Sequence, residues 1–143
     1  ALRFCVALVT LGGGGGCIAP TVVASVAPLG VCEVGDTAMA RDVLYFGRNR
    51  PGGGHISDGE WQQFLDDVVT PRFPDGLTVF EGTGQWKGKS GVVERERAEV
   101  VMLLHAGDEM ARRAVEEIAA EYKRRFGQEA VLRERTATCA KFQ

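Results

Sequence analysis

Residues 98 to 105 read Ala-Glu-Val-Val-Met-Leu-Leu-His, and after Glu99 five apolar residues follow in a row, two of them β-branched. So short a run, bounded by charge on one side and by Ala106-Gly107 on the other, fits a strand better than a helix. It lacks the alternation of a half-exposed strand, so it predicts a central strand with both faces covered. The rest of the domain has to be built around it.

The flanking sequence supplies the partners. Arg41 to Phe46 is rich in β-formers and stops at Gly47. A loop with three consecutive glycines, Gly52 to Gly54, leads to Ser57-Asp58-Gly59-Glu60, a capping box in which Ser57 and Glu60 satisfy each other's backbone donors. Trp61, Phe64, Leu65 and Val68 then recur at helical spacing, and Pro71 ends that helix at Thr70. A second strand runs from Leu77 to about Trp86, a polar tip spans Lys87 to Gly91, and the third strand covers about Val92 to His105. Asp108 suits a helix N-terminus. Met110, Ala114, Val115, Ile118, Tyr122 and Phe126 form its apolar stripe, and Gly127 its C-cap. A fourth strand covers Glu129 to Ala137.

The order is βαββαβ, the split β-α-β pattern of an α+β, ferredoxin-like fold with a four-stranded antiparallel sheet and two helices on one face. Right-handed crossovers place strands one and three in the middle and strands four and two at the edges. The opposite sheet face is left bare, although the third strand is apolar on both sides. A second copy packed sheet against sheet is the expected cover, with a ligand or the N-terminal tether as the alternatives.

The chain's charge is uneven. Before Cys32 the only charged side chain is Arg3; beyond it the composition is that of an ordinary globular domain, and the whole chain carries a net charge of −2. That balance gives no support to nucleic-acid binding. Arg3, the apolar run Phe4 to Leu11 and five glycines have the layout of a secretory signal peptide, too short to span a bilayer. Cys17, followed by Ile18-Ala19-Pro20, resembles the lipidated cysteine of a bacterial lipobox, although Gly14 stands where such boxes carry Leu. Cleavage after Val22-Val23-Ala24 is the rival. Residues 1–31 therefore read as signal peptide and tether, and 32–143 as one α+β domain. The expected location is the periplasm or a lipid anchor on the membrane.

Cys5 and Cys17 belong to the leader, which leaves Cys32 and Cys139 for the domain. An exported pair fits a disulfide, and the antiparallel strands one and four bring the two ends together. Two free thiols are the alternative, and they suit a chain that keeps its leader in the cytosol. No Cys-x-x-Cys occurs, and His55 and His105 lie far from either cysteine, so no metal site is expected. No cofactor motif stands out either. Gly88-Lys89-Ser90 invites a phosphate-loop reading, but Thr83 occupies the required first glycine and a strand follows.

His105, at the end of the central strand, is the acid/base candidate on the bare face, with Tyr45, Arg48, Trp86 and Arg95 near the same sheet as candidate ligand-binding groups. The competing reading makes Tyr45 and Trp86 core or interface aromatics, pairs Arg95 with a neighbouring Glu and leaves His105 as a strand-end residue. Glu94, Arg95, Glu96 and Arg97 alternate sign by face and read as solvated or cross-strand pairs. No Ser/His/Asp arrangement and no catalytic carboxylate pair is evident, so binding or structure is favoured over catalysis.

Several runs agree in order with one family. They are Asp42-Val43-Leu44-Tyr45-Phe46-Gly47, Arg50-Pro51-Gly52-Gly53, Ser57, Trp61, Val69 to Val79 (Val-Thr-Pro-Arg-Phe-Pro-Asp-Gly-Leu-Thr-Val), Gly84-Gln85-Trp86 and Phe126 to Leu132. The stretch from about Cys32 to Phe142 resembles a family of small bacterial exported proteins described as a domain of unknown function, often preceded by a lipoprotein signal. Ala98 departs from it, standing where the family carries Ser or a similar small residue. The resemblance implies an envelope location and adds weight to Cys17 and to the Cys32–Cys139 pair. It supplies no activity and no catalytic residue.

Overall fold

The structure, a computed structural model, describes residues 32–143. The leader, the tether and Cys17 lie outside the described residues. The elements are β1 (Thr37–Gly47), α1 (Asp58–Phe64, continued by a π-helical turn at Leu65–Val69), β2 (Thr78–Lys87), β3 (Val93–His105), α2 (Glu109–Phe126) and β4 (Leu132–Ala140). One sheet has the order β2-β3-β1-β4, with every neighbouring pair antiparallel. This is the expected α+β, ferredoxin-like arrangement, with β3 and β1 in the middle.

Local chemistry sets the helix ends. Ser57 Oγ accepts from the Glu60 N–H at 3.2 Å, while Glu60 accepts from the Ser57 N–H at 2.9 Å, completing the capping box. Asp108 caps α2 by accepting from the Ala111 N–H at 2.8 Å. Gly127 ends α2 in the left-handed region, φ 69°, which favours glycine. The π-helical turn was not expected; in it the Thr70 N–H reaches back to the Leu65 carbonyl at 2.9 Å.

The core lies between the helices and one sheet face. Leu44 and Phe46 of β1 and Val101 and Leu103 of β3 point into it, against Trp61 and Phe64 of α1 and Ile118 and Tyr122 of α2. Phe46 and Tyr122 meet edge to face at 4.6 Å between ring centroids, and the Tyr122 hydroxyl donates to the Gly47 carbonyl at 2.8 Å. Each such apolar side chain contributes about 2 kcal/mol by burial. Met110, expected on the stripe of α2, is exposed; Ala111 of the same turn packs against the core in its place.

Two strands are displaced from their expected bounds. β1 begins at Thr37, where Ala38 pairs with Cys139, and β4 runs later, from Leu132 to Ala140. Cys32 and Cys139 form a disulfide that ties the segment before β1 to the end of β4. The free thiols are therefore not what the fold contains.

β3 also corrects an expectation. Only one of its faces is covered among the described residues. Glu99, Val101, Leu103 and His105 are buried under the helices, whereas Val100 and Met102 are half-buried and Leu104 is exposed on the bare face.

Candidate functional site

The pairing register lays out the bare face row by row. Phe80, Val100, Tyr45 and Leu132 stand side by side across all four strands. The next row along β3 is Gly82, Ala98 and Gly47, and beyond it come Gly84 beside Glu96 and Trp86 beside Glu94. A row of large side chains is thus followed by a row with almost none. The step between them is the floor of a cleft of about 760 Å³. Tyr45 and Leu132 form one wall and Trp86 the other, while the loop through Gly52, Gly53 and His55 and the segment at Gln128 and Glu129 close the end. The volume is that of an ordinary small-molecule site.

Glu96 occupies the floor. A Cβ placed on Gly47 would stand 2.5 Å from both Glu96 carboxylate oxygens, so the carboxylate fits only because residue 47 has no side chain. Its Oε2 accepts from the Asn49 N–H at 3.0 Å. Gly88 plays a related part under the other wall: a Cβ there would meet Glu129 Oε2 at 2.9 Å and Trp86 Nε1 at 3.4 Å. Tyr45 has its pKa raised, by burial first and then by the charge and hydrogen bonding of Glu134.

Of the five candidate residues, the fold brings two together: Tyr45 and Trp86 line the cleft. The other three lie on the helix side. Arg48 is buried beneath α1, where Nη1 pairs with Glu99, Nη2 bonds Asp58 at 2.8 Å and the Ile56 carbonyl at 2.7 Å, and Nε donates to that carbonyl at 3.0 Å. Burial pushes the Glu99 carboxyl up, with the Arg48 charge opposing it. Arg95 stands opposite Gln85 in the register, on the side away from the cleft.

His105 is likewise buried on the helix side. Its Nδ1 accepts from the Gly107 N–H at 3.0 Å, so Nε2 carries the proton and donates to Asp42 Oδ2 at 2.8 Å. Arg133 completes the cluster with bonds of 2.6 and 3.0 Å to the two Asp42 oxygens. Burial alone would raise the Asp42 pKa; the hydrogen bonds from Arg133 and His105 outweigh it and hold the pKa below its ordinary value. Both ring nitrogens of His105 are engaged, so the histidine is a structural member of a buried ion cluster.

The residues that sequence reasoning passed over are Glu94 and Glu96. The alternation of sign along β3 does separate the faces: both glutamates look into the cleft, while Arg97 turns the other way to Glu81 at 2.6 Å and Asp58 at 2.8 Å. The glutamates have no Lys, Arg or His partner of their own among the described residues. A strand pattern shows which face a residue takes but not whether a countercharge waits there. Among the described residues no group of His, Cys, Asp and Glu has metal-site geometry.

Two solved structures of a phage SAM lyase share the fold. A phage SAM lyase in complex with S-methyl-5′-thioadenosine superposes with a TM-score of 0.55 at 14% identity, over 81% of this chain and 97% of that one. The phage SAM lyase in its apo state gives 0.53 at 15% identity, over 81% and 98%. The CutA protein of Synechococcus elongatus PCC7942 gives 0.47 at 7% identity, over 75% and 81%. No curated protein sequence matches the chain. The family profile for proteins of unknown function DUF3574 matches residues 41–142, and the chain belongs to that family.

Proposed function

We propose that the chain is an exported protein of the bacterial cell envelope that binds a small molecule in the cleft on its bare sheet face. The carrying observation is that cleft: about 760 Å³, floored by Gly84 and Ala98 beside the Glu96 carboxylate that lies over Gly47, and walled by Tyr45 and Trp86. A backbone floor lets a flat ligand approach the sheet, and aromatic walls give it stacking surface. The phage SAM lyase binds its small-molecule ligand on the same fold, which is compatible with this use. His105, the acid/base candidate of the sheet, is committed to Asp42 and Gly107 on the helix side and does not serve the cleft, where His55 on the end loop is the histidine present.

Export is supported by the leader-like residues 1–31, with Cys17 as the site of lipid attachment, and by the Cys32–Cys139 bond, which suits an oxidising compartment. Mass spectrometry of the mature protein tests it: a lipid on Cys17 or a cleaved leader supports export, and an intact leader with reduced cysteines overturns it. The binding reading is tested by melting the protein in a metabolite library. A true ligand raises the melting temperature of the wild type and not of Trp86→Ala; if no compound separates the two, the reading fails.

A second reading uses the same face as a homodimer interface. Phe80, Leu104 and Leu132 are each more than 40% exposed there, an apolar surface that a second copy would cover sheet to sheet. Sedimentation decides it: a dimer dissociated by Phe80→Asp supports this reading, and a monomer at all concentrations rejects it.

A further inference from the structure

We infer that the cleft takes a cation: an organic ammonium carried on a flat apolar group, with the charge seated over Glu96 and the flat group against Tyr45 and Trp86. The inference rests on the cleft being a ligand site and adds the class of ligand.

It starts from charge that nothing in the fold neutralises. The arginine and the lysine that border the cleft each lie against a carboxylate other than Glu94 and Glu96. Arg50 Nη2 pairs with Glu60 and its guanidinium lies over the Phe126 ring at 5.5 Å, while Lys89 Nζ lies 3.7 Å from Glu129. The arginines next along β3 belong to the other face. Glu94 and Glu96 remain. Glu96 is half-buried, and the fold gives it a fixed seat, since residue 47 is glycine and the Asn49 N–H holds one oxygen. The second oxygen, Oε1, has no hydrogen-bond donor among the described residues. A carboxylate partly removed from water without a cation is unfavourable, and an incoming ammonium would relieve that while making a charge-assisted hydrogen bond.

The walls reinforce the choice of sign. Trp86 stands directly opposite Glu94 in the strand register, and Tyr45 stands one row above Gly47. Aromatic faces attract cations and stack on planar groups. An anion would meet the two carboxylates at short range. In the glycine loop the Gly53 N–H is spent on the Arg50 carbonyl at 3.1 Å.

Three probes that share the phenethyl group and differ in charge test this: phenethylammonium, its neutral isostere 2-phenylethanol and anionic 3-phenylpropionate. Each is titrated into the full chain while the Trp86 indole N–H is followed by 1H–15N NMR, assigned with Trp86→Ala. Phenethylammonium is expected to bind about tenfold more tightly than either other probe, and the preference is expected to fall with added salt. Glu96→Gln, which keeps the shape of the side chain, is expected to bring the cation and the neutral probe to near equality; Glu94→Gln is expected to narrow the gap. Equal or tighter binding of the neutral or anionic probe overturns the cation assignment and leaves the cleft standing. If no probe moves the Trp86 signal the assignment falls, and if the metabolite library is silent as well, so does the cleft.

Discussion

Glu96 lies where a side chain on Gly47 would have to be: a Cβ there would come within 2.5 Å of both carboxylate oxygens. The glycine is therefore needed for close approach rather than for an unusual backbone angle, since its φ is not positive. Gly47→Ala should displace the carboxylate and its bond to the Asn49 N–H, at a cost of about 1–3 kcal/mol. In an Glu96→Ala background the same substitution should cost well under half as much. Urea unfolding of the four proteins in the cycle measures it.

The buried Asp42 makes stability depend on pH in a defined direction. Its pKa is depressed in the fold, because the hydrogen bonds from Arg133 and His105 outweigh burial. A depressed carboxylate stabilises the fold above its unfolded pKa of about 3.9, and this contribution is lost as pH falls through the lower, folded value. Asp42→Asn should therefore destabilise by about 3 kcal/mol at neutral pH, since it leaves Arg133 without its buried partner. The difference from wild type should shrink in strong acid, as followed by urea unfolding across pH.

Arg48 is not replaceable by lysine. Its planar fork serves Glu99, Asp58 and the Ile56 carbonyl at once, from a site 2% exposed. A lysine ammonium cannot reproduce the paired bonds from Nε and Nη2 to one carbonyl. Arg48→Lys should cost about 2 kcal/mol, seen as a lower urea midpoint with little change in slope.

The Cys32–Cys139 bond closes a loop of 107 residues in sequence separation. Chain-entropy reasoning assigns such a bond about 5 kcal/mol, through the freedom it removes from the unfolded chain. Cys32→Ser/Cys139→Ser should unfold at markedly lower denaturant, and wild type in a strong reductant should behave like the variant.

Much of the fold is legible in the residues themselves. The capping box at Ser57, the left-handed glycine at 127 and the helical stripe from Val115 to Phe126 each have a local physical cause, and the structure shows all three. The site is less legible, for a reason specific to β3. Alternation along a strand puts His105 on one face with Val101 and Leu103, but five apolar residues in a row leave both faces apolar, so nothing in the run says which face the helices cover. For Arg48 a signal did exist: Asp42, Leu44, Phe46 and Arg48 alternate away from Tyr45, and the first four are buried together. The seat of Glu96 on Gly47 joins residues from different strands, and only the register reveals it.

The binding cleft is tested most directly by mapping where a ligand perturbs the protein. In 1H–15N NMR of the full chain titrated with the compounds that raise its melting temperature, the shifts should gather at Tyr45 to Asn49, Gly84 to Ser90, Glu94 to Ala98 and Gln128 to Leu132. Shifts gathered instead on the outer surface of α2, or no shift at the Trp86 indole at saturating ligand, would contradict a ligand site on the bare sheet face.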